Sequence, residues 1–266
     1  MKARDNYDIR QKNKLKLGIT PKLLVSILAP LFIVLTIMGV FLGVQSSNTV
    51  NKIISSELDA ETKAAAKEVD GFFKRYYGVS ETLASTQLVR DVLVEKTEGG
   101  ISKHRLYNSL LQTLDFVQQD NEEDVNYVWV FSLTTEEILQ NNGQIYEKED
   151  VDFSSRSWYK MVMDKQDTII TETYVSANSD SNTVTVASPV FINGNIMGVI
   201  GMDINMQHLN EVLSAITVGK NGYITLYDSN SQIIYHPDSS VINTNAADAE
   251  YSSNILDPLL SKTDQS

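Results

Sequence analysis

The chain has 266 residues, no cysteine, and 34 acidic against 22 basic side chains, a formal charge of −12 at pH 7. That composition excludes disulfides, thiol chemistry and cysteine metal sites, and so acidic a surface argues against nucleic acid as a partner. With 42% hydrophobic residues, 12 tyrosines and 5 prolines it is the composition of a folded chain.

Residues 1–22 carry seven basic side chains (Lys2, Arg4, Arg10, Lys12, Lys14, Lys16, Lys22) and two acids (Asp5, Asp8). The run Leu23–Val44, LLVSILAPLFIVLTIMGVFLGV, follows with 22 residues and no charge. That length predicts a transmembrane helix, and the basic flank places the N-terminus in the cytoplasm and residues 45–266 outside. A cleaved signal peptide is the alternative, but its apolar stretch should be shorter, and VQSSN is a poor cleavage site. The exported part holds 15 basic and 32 acidic residues, which suits a soluble outer domain and not an anionic lipid surface.

From Ser46 to about Lys96 the spacing predicts one long stalk helix, with Val50, Ile53, Ile54, Leu58, Ala64, Ala65, Val69, Phe72 and Phe73 as its apolar positions. A loop at Glu98–Gly100 and a second helix, from Ser102 or Lys103 to Gln119, complete a segment 45–123. From Asp124 the period changes to strands at 125–133, 136–141, 168–175, 183–192 and 195–206, with a helical insert at 154–166 and a hairpin turn at Asn193-Gly194. Residues 124–206 thus predict an antiparallel five-stranded α+β lobe. A connecting helix over 206–218 and strands at 222–228 and 232–237 open a smaller lobe, 207–266, with weak helical character at 255–260. Its core stops short of completion, so the chain reads as truncated.

This order of a membrane anchor, a rising helix, a five-strand lobe with helical insert and a smaller β lobe resembles the double-Cache extracytoplasmic sensors of bacterial chemoreceptors and sensor kinases. The specific pieces are RSWYKM (156–161), TETYVSA (171–177), TVASPVF (185–191), GVIGMDI (198–204) and the opening of the second lobe at 219–237. The resemblance implies a PAS-like membrane-distal lobe that binds ligand, a membrane-proximal lobe, and dimerisation through the long helices. In the amino-acid-binding branch, an Arg and a Trp hold the ligand carboxylate, while tyrosines and acids hold its ammonium. Carried over, these are Arg156, Trp158 with Tyr159 after it, Tyr174 and Asp203. Val151 stands where a tyrosine is usual and Ser176 where an acid is usual, so the carboxylate half of the site looks intact and the ammonium half weakened.

The chemistry is consistent with that assignment. A guanidinium is a planar fork that meets a carboxylate with two parallel hydrogen bonds, and an indole adds a donor and an apolar wall. Asp203 follows an apolar run and needs a cation or donors to be tolerated there; Tyr174 and Tyr127 can pack against such a cation. Other roles stay open: Arg156 paired with Asp152 or Glu172, Trp158 as core, and Asp203 as a helix cap, for which Asn205 is better placed. The acid pairs Glu122-Glu123 and Glu136-Glu137 read as solvated faces, and His104, His208 and His236 as surface or hydrogen-bonding residues.

No hydrolase, zinc-protease, phosphate-loop or dinucleotide motif occurs, so the reading is a sensor of a small carboxylate or amino acid, without cofactor or metal and with no nucleic acid. An adhesion or assembly module without a small ligand is the alternative. The output, whether chemotaxis, a histidine kinase or a cyclic-dinucleotide enzyme, is not encoded in these residues.

Overall fold

The structure is a computed structural model that describes residues 19–95, 97–175, 182–216, 218, 222–228 and 230–248. The chain divides into two units, residues 1–59 and 60–266. A 67-residue helix α1, Ile19–Ser85, contributes to both and contains Pro30. In the first unit its most apolar window has a mean hydropathy of 2.6 and none of it is buried.

The stalk helix ends earlier than its periodicity predicts. Thr86 takes an extended conformation (φ −67°, ψ 144°) and its side chain accepts from the Val89 N–H, starting a separate helix α2, Gln87–Val94. A Thr cap satisfies a helix-start N–H that the preceding turn cannot. After the turn at Gly99 and Gly100, both at positive φ, α3 spans Tyr107–Gln119.

The α+β class is as expected, and the sheet is antiparallel, but among the described residues it holds seven strands instead of five. They are β1 Val125–Ser132, β2 Glu137–Gln140, β3 Ile145–Glu147, β4 Ile169–Ile170, β5 Tyr174–Val175, β6 Asn182–Ile192 and β7 Asn195–Asn205. Their order is β3-β2-β1-β7-β6-β4, with β5 also paired to β6. The extra edge strand β3 follows a tight turn at Gly143, φ +83°. The expected strand 168–175 breaks in two because Thr171 Oγ1 accepts the Thr185 N–H at 2.9 Å, taking a ladder bond from the backbone. As predicted, β6 and β7 turn at Asn193 (φ 52°) and Gly194 (φ 82°), the positive pair a type I′ turn requires.

Both faces of the sheet are covered, which explains the near-continuous apolar runs in β1 and β7. Val128, Val130, Ile200, Met202 and Ile204 form one core with α2, α3 and the end of α1. Their sequence neighbours Trp129, Phe131 and Val199 point the other way, into a second core with Phe153, Trp158 and Val162. Alternation along a strand produces this division. The helical insert is a 3-10 turn, Phe153–Ser155, and helix α4, Ser157–Lys165.

Asp124 ties two helices to the sheet. Tyr76 Oη on α1 donates to Asp124 just before β1, and the other Asp124 oxygen lies 2.7 Å from His208 Nδ1, on helix α5, Gln207–Ala215. Glu137 corrects the solvated-face expectation: it is buried and accepts the Ile101 N–H at 2.8 Å, while its neighbour Glu136 pairs with Lys148 at the surface. Beyond α5, strands β8, Leu226–Tyr227, and β9, Ile233–Tyr235, pair across a turn in which Asp228 Oδ1 accepts from the Asn230 and Gln232 N–H groups. The expected helical stretch at 255–260 and the segment Gly219–Asn221 lie outside the described residues.

Candidate functional site

The site sits on the sheet face that carries Trp129. Register places Thr185, Asp203 and Tyr127 in one row across β6, β7 and β1, and Ala187, Gly201, Trp129 and Gln140 in the next, across β6, β7, β1 and β2. Gly201 decides the shape of this surface. A Cβ built there would lie 2.0 Å from the Trp129 ring, so only glycine lets the indole lie across β7 and reach the next residue on that face. Its Nε1 donates to Asp203 Oδ1 at 3.1 Å.

A Gly201→Ala substitution is therefore expected to push the indole off β7. Overpacking should cost about 1–3 kcal/mol, seen in chemical denaturation together with a changed tryptophan fluorescence. Unaltered stability and fluorescence would show that the ring is not held there.

Asp203 collects donors on one oxygen. Thr185 Oγ1 donates to Oδ1 at 2.9 Å, and the Tyr174 and Thr185 hydroxyls are 2.8 Å apart. A hydroxyl has one proton, so Thr185 gives its own to Asp203 and takes one from Tyr174. The direct Tyr174–Asp203 approach, 3.5 Å, is the weak edge of this relay. All of these meet Oδ1; Oδ2 takes none of them.

Burial pushes the Asp203 carboxyl above the usual range, opposed by the Trp129 and Thr185 hydrogen bonds, the Arg156 charge and Tyr174. Burial, and then the Asp203 charge, likewise raise the Tyr174 phenol.

Arg156 comes from the helical insert. The Asp152 side chain caps the 3-10 turn by accepting from Ser154 N and Oγ, and Arg156, at the N-cap of α4, is delivered with an extended backbone (φ −71°, ψ 140°). Asp152 is thus occupied as a cap. Among the described residues Arg156 enters no ion pair, so neither the Asp152 nor the Glu172 pairing forms.

Trp158, two residues on, is buried, with its ring tilted on Trp129 at 4.8 Å. Asp203 does not cap α5; Asn205 Oδ1 accepts the Gln207 N–H at 2.9 Å.

A cavity of about 180 Å³ brings Arg156, Trp158, Tyr174 and Asp203 together. It falls below the about 300–1,000 Å³ of drug-sized sites, which restricts it to a small guest. Two expected residues stand apart. Tyr159 packs edge-on to Phe131 at 5.9 Å and lines a neighbouring cavity with Leu133 and Lys148. Tyr127 lies beside Asp203 in register, half-buried in the second core, and does not line the Arg156 cavity. Ser176 lies outside the described residues.

Sequence reasoning missed Trp129, Thr185, Gln140 and Tyr146. The available signal was Gly201, a strand-interior glycine of the kind that marks close approach. Among the described residues no three His, Cys, Asp or Glu side chains cluster as a metal site. Among the described residues, the cavity offers a carboxylate with one oxygen outside the Trp129, Thr185 and Tyr174 hydrogen bonds, a guanidinium in no ion pair, and aromatic walls, chemistry that suits a cation and an anion.

The chain is 33% identical over 100 residues to the methyl-accepting chemotaxis protein PscA of Pseudomonas syringae, covering 38% of this chain and 16% of that protein. McpC of Bacillus subtilis is 21% identical over 210 residues, covering 77% and 31%. The chain thus spans about a sixth of the length of relatives such as PscA and PctB.

Among solved structures, the sensory domain of the Campylobacter jejuni chemoreceptor Tlp3 superposes with a TM-score of 0.60 at 17% identity, over 79% of this chain and 81% of that one. The ligand-binding domain of the Pseudomonas aeruginosa amino-acid chemoreceptor PctC, in complex with GABA, gives 0.55 at 20% identity, over 70% and 75%. Such identities establish a shared fold. Residues 46–263 match the Cache domain family over most of the chain's length, and the protein belongs to that family.

Proposed function

We propose that this chain is the sensor portion of a chemoreceptor and that it binds an amino acid in the Arg156–Asp203 cavity. The observation that carries the reading is that one cavity holds a guanidinium in no ion pair among the described residues and a carboxylate whose Oδ2 is not engaged by Trp129, Thr185 or Tyr174. Arg156 takes the ligand carboxylate, and Asp203, with Trp158 and Tyr174 as walls, takes the ammonium. The Tlp3 sensory domain with isoleucine bound and the Mlp24 ligand-binding domain with asparagine support an amino acid as the guest. Relatives named as chemotaxis proteins favour that output over a histidine kinase or cyclic-dinucleotide enzyme.

In this reading residues 23–44 cross the bilayer, 1–22 stay in the cytoplasm, and 124–206 form the membrane-distal binding lobe between the helical segment 45–123 and a membrane-proximal lobe, 207–266. The 22 charge-free residues at 23–44, within helix α1 and with none of its most apolar window buried, support the anchor. Pocket closure around ligand biases α1 between two positions, and the long helices pair in a homodimer that passes the shift to the span. A ligand drives this only through its differential affinity for the two positions. An adhesion module without a small ligand would have a filled core around Trp158 and Asp203, and the cavity there weighs against it.

A thermal-shift screen of the full chain in detergent tests the reading, with amino acids, small carboxylates, amines and purines as probes. A ligand at about 100 times its Kd adds about 2.7 kcal/mol of stability. Selective stabilisation by an amino acid is expected; stabilisation by amines alone, or by nothing, sinks the proposal.

A further inference from the structure

We infer that Gln140 sets ligand specificity in this cavity, selecting an amino acid with a side-chain carboxamide of glutamine length. The inference rests on the amino-acid reading above and deepens it. Gln140 is 6% exposed and lines the cavity, yet its side-chain Oε1 has no hydrogen-bond partner among the described residues. A buried polar atom left in that state is costly, and a polar group on a ligand in the cavity that Gln140 lines would relieve it.

The sheet measures the span. Gln140 is opposite Trp129 and Asp203 is opposite Tyr127, with β1 lying between their strands. At about 4.8 Å between strands and about 3.4 Å per residue, their Cα atoms are about 12 Å apart. Both side chains rise from the same face. Two hydrogen bonds of about 2.9 Å leave about 6 Å between the ligand ammonium and its distal polar group, roughly the extended length of five bonds. Glutamine has that spacing and asparagine is one bond shorter.

Ile138, Val151 and Phe153, which also line the cavity, suit the methylenes between. A carboxamide carries both a donor and an acceptor and pairs with the Gln140 amide whichever way its terminal group is turned. An aliphatic tip of equal length leaves Oε1 without a partner.

Calorimetric titration of the full chain in detergent with L-glutamine, L-asparagine and L-norleucine tests this. Wild type should bind glutamine at least about tenfold tighter than norleucine, with asparagine weaker than glutamine. Gln140→Leu should weaken glutamine about tenfold and reverse the preference, while raising the melting temperature of the unliganded chain. Gln140→Met reports the same ratio if the leucine variant does not fold. Equal binding of norleucine and glutamine by wild type, or an unchanged ratio in the variants, overturns the role of Gln140 and leaves the amino-acid reading standing. Binding of none of the three, when the screen shows another amino acid bound, overturns the carboxamide assignment alone; no amino acid bound at all overturns both.

Discussion

Replacing Arg156 with alanine is expected to abolish amino-acid-induced stabilisation while leaving the unliganded fold intact. The fold should be indifferent because the side chain is exposed and pairs with no described carboxylate. The size of the binding loss follows from how far the ligand is desolvated. An open, solvent-screened pair contributes less than about 1 kcal/mol, whereas charge-assisted hydrogen bonds in a closed site contribute about 1.5–3 kcal/mol each. With closure over the ligand, the loss should be about 3 kcal/mol or more, roughly a hundredfold in Kd. Arg156→Lys keeps the charge and loses the two-pronged geometry, so it should fall between wild type and alanine. Calorimetric titration reads both; a Kd unchanged in the alanine variant removes Arg156 from the site.

Affinity for an amino acid should rise with pH and then level off, and Asp203 is the group responsible. Burial holds its carboxyl above the ordinary range in the unliganded chain, against the pull of Trp129, Thr185, Arg156 and Tyr174. Because the folded state holds this proton more tightly than the unfolded one, the Asp203 contribution to stability is fully present at low pH. It declines as pH climbs from the ordinary carboxylate value through the raised one. A ligand ammonium needs the ionised form and lowers the raised value on binding. Below the unliganded value, binding must release a proton, and affinity should fall about tenfold per pH unit.

Titrations in buffers of different ionisation heat measure that proton directly. Asp203→Asn should flatten the profile and weaken binding by about a hundredfold or more: the amide oxygen will face the Trp129 and Thr185 donors, turning its NH2 towards the ligand cation. A pH-independent affinity in wild type would exclude Asp203 as the ammonium partner.

Much of this protein was legible in its residue pattern. Charge-free length marked Leu23–Val44, the change of period near Asp124 marked the switch from helix to sheet, and Asn193-Gly194 marked a turn. These are local properties, set by backbone geometry and by which side chains water rejects. The family resemblance brought Arg156, Trp158, Tyr174 and Asp203 forward as a set, and the structure places all four on one cavity. The same resemblance carried Tyr159, which the structure turns to the neighbouring cavity.

Tertiary structure alone decided the rest. The break at Thr86 depends on a cap competing with helix continuation. Glu137 looked solvated because it stands in a charged pair, but the Ile101 N–H that holds it is 36 positions away in sequence. Trp129, Thr185 and Gln140 join Asp203 through strand register, and a slip of one residue would turn each of them to the opposite face. Periodicity identifies that a strand has two faces; only the pairing of β2, β1, β7 and β6, fixed by packing on both sides of the sheet, determines which residues meet across them.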